Sequence, residues 1–244
     1  MRGTDAARLG GLLGLLFLAM GASTVTGTAG IPLRDVLRTL SADTDPTVRA
    51  IILELRLPRA LLAALVGGAL AVCGAVFQAI LRNPLAEPYV LGISGGAAVG
   101  AVMAVILGWS ARSGWAVPVA AFAGAVAAMI LVLRITLAVG SGLRSRVLIL
   151  AGVVVGAFFN ALILLALTFA DVESFRSAVF WMMGNLQGAS WSSVLLLSAY
   201  LVPAAAVLLA LGRPLNLLAV GEDTALFLGT RVGRVKLVAY LTTS

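Results

Sequence analysis

Few residues in this chain could do chemistry, and their types and spacing limit what it could be. Glu222 and Asp223 are adjacent carboxylates, a pairing that general acid–base catalysis could use, but no nucleophile or metal ligand lies beside them. Histidine is absent, which removes histidine triads, histidine metal sites and the usual pH switch. Cys73 is the only cysteine, so no disulfide forms within these residues. An intramembrane Ser–Lys pair would need a lysine beside a serine. Lys236 is the only lysine, and topology is expected to keep it far from any intramembrane serine. In Arg56-Leu57-Pro58-Arg59, two guanidiniums flank a proline. They fit either a pair of interfacial anchors or a docking point for acidic groups, since guanidinium pairs well with carboxylate. The glycine-rich stretch 91–98 has the outline of a phosphate loop but lacks its lysine, so that reading falls.

The elements that position these residues follow from composition. Of 244 residues, 61% are hydrophobic and 11% charged, against roughly 45–50% and 25% in a soluble domain. This excludes a soluble globular protein, a disordered chain and a disulfide scaffold. The net charge of +7 sits in short loops between apolar runs, which points to a membrane and away from nucleic acid.

A membrane-spanning helix needs about 20 mostly apolar residues. Residues 9–30, 60–81, 91–108, 115–133, 147–170 and 192–211 meet that description, and a seventh run starts at Leu237. None of the six cores contains an acidic or basic residue. Proton-coupled carriers usually place an acid inside the membrane, so energy for transport is expected to come from elsewhere. The second and third spans carry Gly67, Gly68, Gly74, Gly95, Gly96 and Gly100, small residues that let helices approach closely in lipid. The N-terminal run resembles a signal peptide in outline but continues far enough to span. With the N-terminus in the cytoplasm, ten Lys and Arg fall on the inner side and seven on the outer, in the sense of the positive-inside rule.

Three inner or outer segments depart from a generic bundle. Arg82-Asn83-Pro84-Leu85-Ala86-Glu87-Pro88-Tyr89 holds two prolines in five residues and reads as a stiff connector. Residues 221–229 read as a two-turn helix. Glu222 and Asp223 sit at its positive end and Gly229 is a natural stop. Such a helix lies on headgroups or inserts into a soluble partner. Phe180-Trp181-Met182-Met183-Gly184-Asn185-Leu186, with Trp191, is too short to cross and suits the interface.

The stretch LRLPRALLAALVGGALAVCGAVFQAILRNPLAEPYVLGISGGAAVGAV, residues 55–102, closely resembles the permease subunits of ATP-driven importers for iron–siderophores, haem and cobalamin, the FecCD family. The resemblance continues in residues 181–186 with Trp191 and in residues 221–229, and covers the chain from about Ile51. It implies an all-α, polytopic helix bundle of the type II importer kind. Residues 1–244 would form one permease domain, with residues 212–236 a cytoplasmic loop carrying a coupling helix.

The resemblance also implies partners and roles. A second permease chain, identical or paralogous, would complete the translocation path. A cytoplasmic ATP-binding subunit would do the hydrolysis, so this chain itself would be no enzyme and would hold no cofactor or metal. An extracytoplasmic binding protein would deliver the chelate. Arg56 and Arg59 would dock that binding protein. Gly221, Glu222, Asp223, Thr224, Ala225, Leu226, Phe227, Leu228 and Gly229 would form the ATPase-coupling segment. Asn83, Pro84 and Leu85 would lie near the gate, Ser141 and Gly142 near the pathway, and Asn160 along the cavity. Val220 and Thr230 depart from the usual leucine and small aliphatic. The family normally has ten spans and a proline–histidine segment not found here. The chain is therefore expected to be a C-terminally shortened permease lacking roughly 80–100 residues, either a fragment or a non-transporting remnant.

Overall fold

The computed structural model describes residues 3–27, 30–39, 45–89, 91–140 and 143–244. Twelve helices follow in order: α1 (Gly3–Val25), α2 (Leu33–Arg38), α3 (Pro46–Ala50), α4 (Leu57–Leu81), α5 (Ile93–Ile106), α6 (Ala116–Ala138), α7 (Ser145–Thr168), α8 (Val172–Met183), α9 (Trp191–Ala210), α10 (Gly212–Val220), α11 (Glu222–Phe227) and α12 (Val232–Thr243). A π-helical segment, Ile51–Arg56, joins α3 to α4, and a 3₁₀ turn, Trp109–Ala111, precedes α6.

Among the described residues, five helices are long and apolar enough to cross a bilayer: Thr4–Val25, Pro46–Leu81, Ala116–Ala138, Ser145–Thr168 and Trp191–Ala210. They correspond to the first, second, fourth, fifth and sixth predicted spans, with shifted ends. The helix predicted from residue 60 begins at Pro46 and is continuous for 36 residues, about 54 Å at 1.5 Å per residue. The third predicted span is α5, whose 14 residues reach only about 21 Å and fall short of a 30 Å core. Helix α6 runs to Ala138, so Arg134 lies inside it, about one turn from its end. At most 28% of any spanning window is buried. Most of each apolar surface therefore faces lipid or protein outside this chain.

The chain divides into two compact units. The first comprises residues 1–69 and 185–203, and the second residues 70–184 and 204–244. The division falls within α4 and at Pro203 of α9. Pro203 lacks the N–H that the Ala199 carbonyl would take, a weak point in that helix.

In the first unit the π-helical segment creates an orphan that a distant residue fills. The Leu57 N–H bonds the Ile52 carbonyl, five residues back. The next donor in that register is Pro58, which has none. The Leu53 carbonyl is thereby left without a partner in its own helix, and the Trp191 indole Nε1 donates to it at 2.9 Å. Arg56 donates from Nη1 to the Thr24 and Val25 carbonyls at 3.0 and 2.9 Å. It thus places a cation on the C-terminal end of α1, whose last turn carries no basic residue.

In the second unit α5 and α6 pack backbone to backbone. A Cβ on Gly96 or Gly100 would strike carbonyls of α6, and one on Gly124 would strike the Gly96 carbonyl. The expectation of close packing holds for these residues. It does not extend to Gly67 and Gly68, which have open space where a Cβ would be. A larger core gathers Phe77, Ile80 and Leu81 of α4, Val132 of α6, Leu148 and Val155 of α7, and Leu218, Ala225, Ala239 and Tyr240 of α10–α12. This core holds α10, α11 and α12 against the ends of the longer helices.

Gly100→Leu should separate α5 from α6 and destabilise the fold by about 1–3 kcal/mol. The check is thermal unfolding of purified protein in detergent. A melting temperature equal to the wild type would refute the close crossing.

Candidate functional site

Helix α11 is a six-residue helix set apart at both ends by glycine. Gly221 separates it from α10 in extended backbone. At the other end Gly229 takes φ +78°, a left-handed conformation that costs L side chains energy. The Gly229 N–H bonds the Leu226 carbonyl at 2.9 Å and the Thr230 N–H bonds Ala225 at 2.9 Å. This is the paired termination of a Schellman motif, and it gives the predicted stop at Gly229 its geometry.

The helix is two-sided. Ala225 is fully buried in the core. Leu226, Phe227 and Leu228 are 57%, 91% and 63% exposed, three consecutive apolar side chains pointing away from the chain. Asp223 is exposed, whereas Glu222 turns inward.

Glu222 meets the only lysine. Lys236 Nζ lies 2.6 Å from Glu222 Oε1, and its side chain is 2% exposed. The same ammonium donates to the Leu143 carbonyl at 2.9 Å and to Ser145 Oγ at 3.0 Å. Three N–H groups thus meet three acceptors. Ser145 Oγ lies 2.7 Å from the Ile80 carbonyl and 2.9 Å from Glu222 Oε1, so its single hydrogen serves one of them at a time. Burial pushes the Glu222 carboxyl up. Hydrogen bonds from Lys236 and Ser145 and the positive charges of Lys236 and Arg82 outweigh this and hold it below its usual range. Burial pulls the Lys236 ammonium below its usual value, opposed in part by Glu222.

Lys236 is expected to lie far from any intramembrane serine; the serine it meets is Ser145, the first residue of α7, 3.0 Å away and outside the predicted span 147–170. The pair still lacks the properties of a catalytic dyad. A lysine acting as base must offer a lone pair, and this one donates toward three acceptors. Ser145 is 6% exposed, and its Oγ is already engaged by Lys236, the Ile80 carbonyl and Glu222. Beside the pair lies a cleft of about 360 Å³ where Arg82, Arg144 and Arg146 stand near Glu222 and Asp223.

The other predicted residues are distributed as follows. Arg59 is exposed, yet Nε and Nη2 donate to the Leu186 and Gln187 carbonyls at 3.1 and 3.4 Å. Arg56 is half-buried on the end of α1. Asn83, Pro84 and Leu85 form a compact turn, with Asn83 Oδ1 accepting from the Leu85 N–H at 3.0 Å. Leu85 is 84% exposed. Arg82, just before it, has φ +50°, an uncommon conformation for a residue with a Cβ. Asn160 is exposed on α7. Ser141 and Gly142 lie outside the described residues. Sequence reasoning missed Lys236 and Ser145; a sole lysine next to an apolar run was the available signal.

Long apolar helices, mostly unburied within the chain, with one short outward-facing helix after them are what a multi-pass membrane protein presents. The chain belongs to the FecCD transport family, whose model matches residues 15–244. It is 37% identical over 240 residues to the ferric enterobactin transport system permease protein FepD of Escherichia coli, covering 98% of this chain and 71% of that protein. It is 35% identical over 196 residues to the ABC transporter permease protein YvrB of Bacillus subtilis, covering 80% of this chain and 55% of that protein. An 81-residue stretch is 52% identical to the vitamin B12 import system permease protein BtuC of Salmonella paratyphi A, covering 25% of that protein. The fold matches a solved metal-chelate type ABC transporter in an inward-facing conformation, with TM-score 0.83 and 30% identity, over 98% of this chain and 73% of that one.

Glu222→Gln should cost about 3 kcal/mol, because it leaves a buried ammonium without its counter-charge. The cost should depend on pH. A carboxyl held below its unfolded value contributes stability that is complete above about pH 4.3 and is lost as pH falls through the folded-state value. The difference in melting temperature between wild type and Glu222→Gln should therefore hold from pH 7 to about pH 5 and shrink as pH is lowered from there to about pH 2. A constant difference would show that Glu222 does not act as a paired carboxylate.

Proposed function

We propose that this chain is the membrane-spanning permease subunit of an ATP-driven importer for ferric siderophores or a related metal chelate. ATP is hydrolysed on a separate cytoplasmic subunit, and a second permease chain completes the path. A binding protein on the outer face delivers the chelate. The observation that carries the reading is the two-sidedness of α11. Its inner side is locked into the chain by Ala225 and Glu222, and its outer side offers Leu226, Phe227 and Leu228. In water that tip is unfavourable, and in the apolar cleft of a soluble subunit it is a plug. The relatives named for ferric enterobactin and vitamin B12 support the substrate class.

Arg82, Arg144 and Arg146 line the cleft beside α11, and Arg213, Arg231 and Arg234 flank it in sequence. This supports a cytoplasmic position for the α10–α12 segment and for the N-terminus. Arg59, exposed beside the proline of α4, is the docking residue for an acidic binding protein, whereas Arg56 serves mainly to cap α1. Asn83, Pro84 and Leu85 act at the gate, and Ser141, Gly142 and Asn160 lie along the path. The intact, internally anchored coupling segment favours a working permease over a non-transporting remnant.

Phe227→Asp should reduce co-purification of the ATPase subunit by about tenfold while the permease still accumulates in the membrane. Unchanged co-purification would reject α11 as the coupling element. Arg59→Glu should weaken binding-protein docking, with the difference from wild type narrowing as salt rises. Salt-independent, wild-type affinity would remove Arg59 from that interface.

A further inference from the structure

The proposed function uses the outer side of α11 and leaves its inner attachment unexplained. Beside the apolar seat of Ala225, the polar part of that attachment is a single ammonium. Lys236, in α12, donates to Glu222 of α11, to Ser145 at the start of α7 and to the Leu143 carbonyl just before it. Ser145 Oγ in turn reaches the Ile80 carbonyl near the end of α4. Four helices therefore meet within two hydrogen bonds of one nitrogen. The polypeptide links on either side of α11 are poor transmitters of force. Gly221 in extended backbone and the Schellman turn at Gly229 interrupt the helical hydrogen bonding on either side, and such a joint is less stiff than continuous helix. A push on Phe227 and Leu228 would be absorbed there if the chain alone carried it. The ion pair offers a shorter and stiffer route. It is 2.6 Å long, nearly closed to water on the lysine side, and backed by buried Leu218, Ala225, Ala239 and Tyr240.

Resting on the coupling role of α11, we infer that Lys236 is a positioning residue: it makes α11, α12 and the start of α7 move as one body when the ATPase subunit displaces α11. Its ion pair has a second consequence. If the lysine is removed, Glu222 is still partly exposed and has Arg82 nearby, so Lys236→Met should fold while losing the link.

The test uses the permease assembled with its ATPase subunit in lipid nanodiscs. Spin labels are placed at Thr224→Cys and Val238→Cys, both exposed, in a Cys73→Ala background. Distances are measured by double electron–electron resonance without nucleotide and with ADP–vanadate. With Lys236 present, one narrow distance should persist in both states. In Lys236→Met it should broaden at least twofold or change between the states, with the ATPase subunit still bound. Glu222→Gln should do the same, and the double variant should be no worse than either single one, as for two ends of one link. A lysine with only a structural role would lower yield or melting temperature and leave the distances of the folded complexes unchanged; that result overturns the inference. Should Lys236→Met fail to accumulate, Glu222→Gln gives the same reading from the exposed end. Failure of Phe227→Asp to release the ATPase subunit would sink the coupling role itself. Release by Phe227→Asp together with wild-type distances in Lys236→Met would sink only the link.

Discussion

Carbonyl oxygens that a helix cannot satisfy from its own N–H groups govern how this chain holds together. In a largely apolar setting an unpaired carbonyl is costly, and the long-range polar contacts here are mostly answers to that cost. Arg56 covers the end of α1, Arg59 the turn after α8, Trp191 the Leu53 carbonyl, and Lys236 and Ser145 the Leu143 and Ile80 carbonyls. Tyr240 adds a bond to Met129 at 3.3 Å. Each donor is a side chain far away in sequence, and every acceptor except Met129, which lies within α6, sits at a helix end, in the π-helical segment or in an irregular turn. The few polar residues that the composition allows are thus spent on backbone repair.

That division of labour leaves the apolar helices free to present long, uninterrupted surfaces. Where two must touch directly, as α5 and α6 do, glycine removes the side chains altogether. Where a helix must change register, the π-helical segment and Pro58 do it at the cost of one carbonyl that a tryptophan then supplies with a donor. The same logic places the exposed tip of α11. Helix α11 exposes three apolar residues because its polar end, Glu222, is already occupied.

The helical class, most of the spans and the short helix α11 were legible in the sequence because each is a local pattern. Twenty apolar residues announce a span, and Glu222-Asp223 with Gly229 announce a short capped helix. The shortness of α5 was not legible. Residues 91–108 are apolar but for Ser94, yet the turn through Leu91–Gly92 and the turn at Leu107–Gly108, with Gly108 at φ +69°, consume both ends. The arginines of the Arg56–Arg59 segment stood out by spacing, yet their carbonyl partners in α1 and after α8 have no sequence signature. A carbonyl is present at every residue, so nothing in the letters marks the ones left unpaired. Lys236 and Glu222 are 14 residues apart and Lys236 and Ser145 are 91 apart. No helical or strand period connects them, and only the folded core brings them to one point.

The lysine that ties these helices together also makes the chain chemically quiet. It is the only lysine among 244 residues, and it is 1% exposed. A reagent that modifies side-chain amines finds none within reach while α11 stays seated on α12. The amine becomes nucleophilic and accessible only when that joint opens. The rate at which Lys236 takes up such a label is therefore a clock for opening of the joint, read from the one side-chain amine in the sequence.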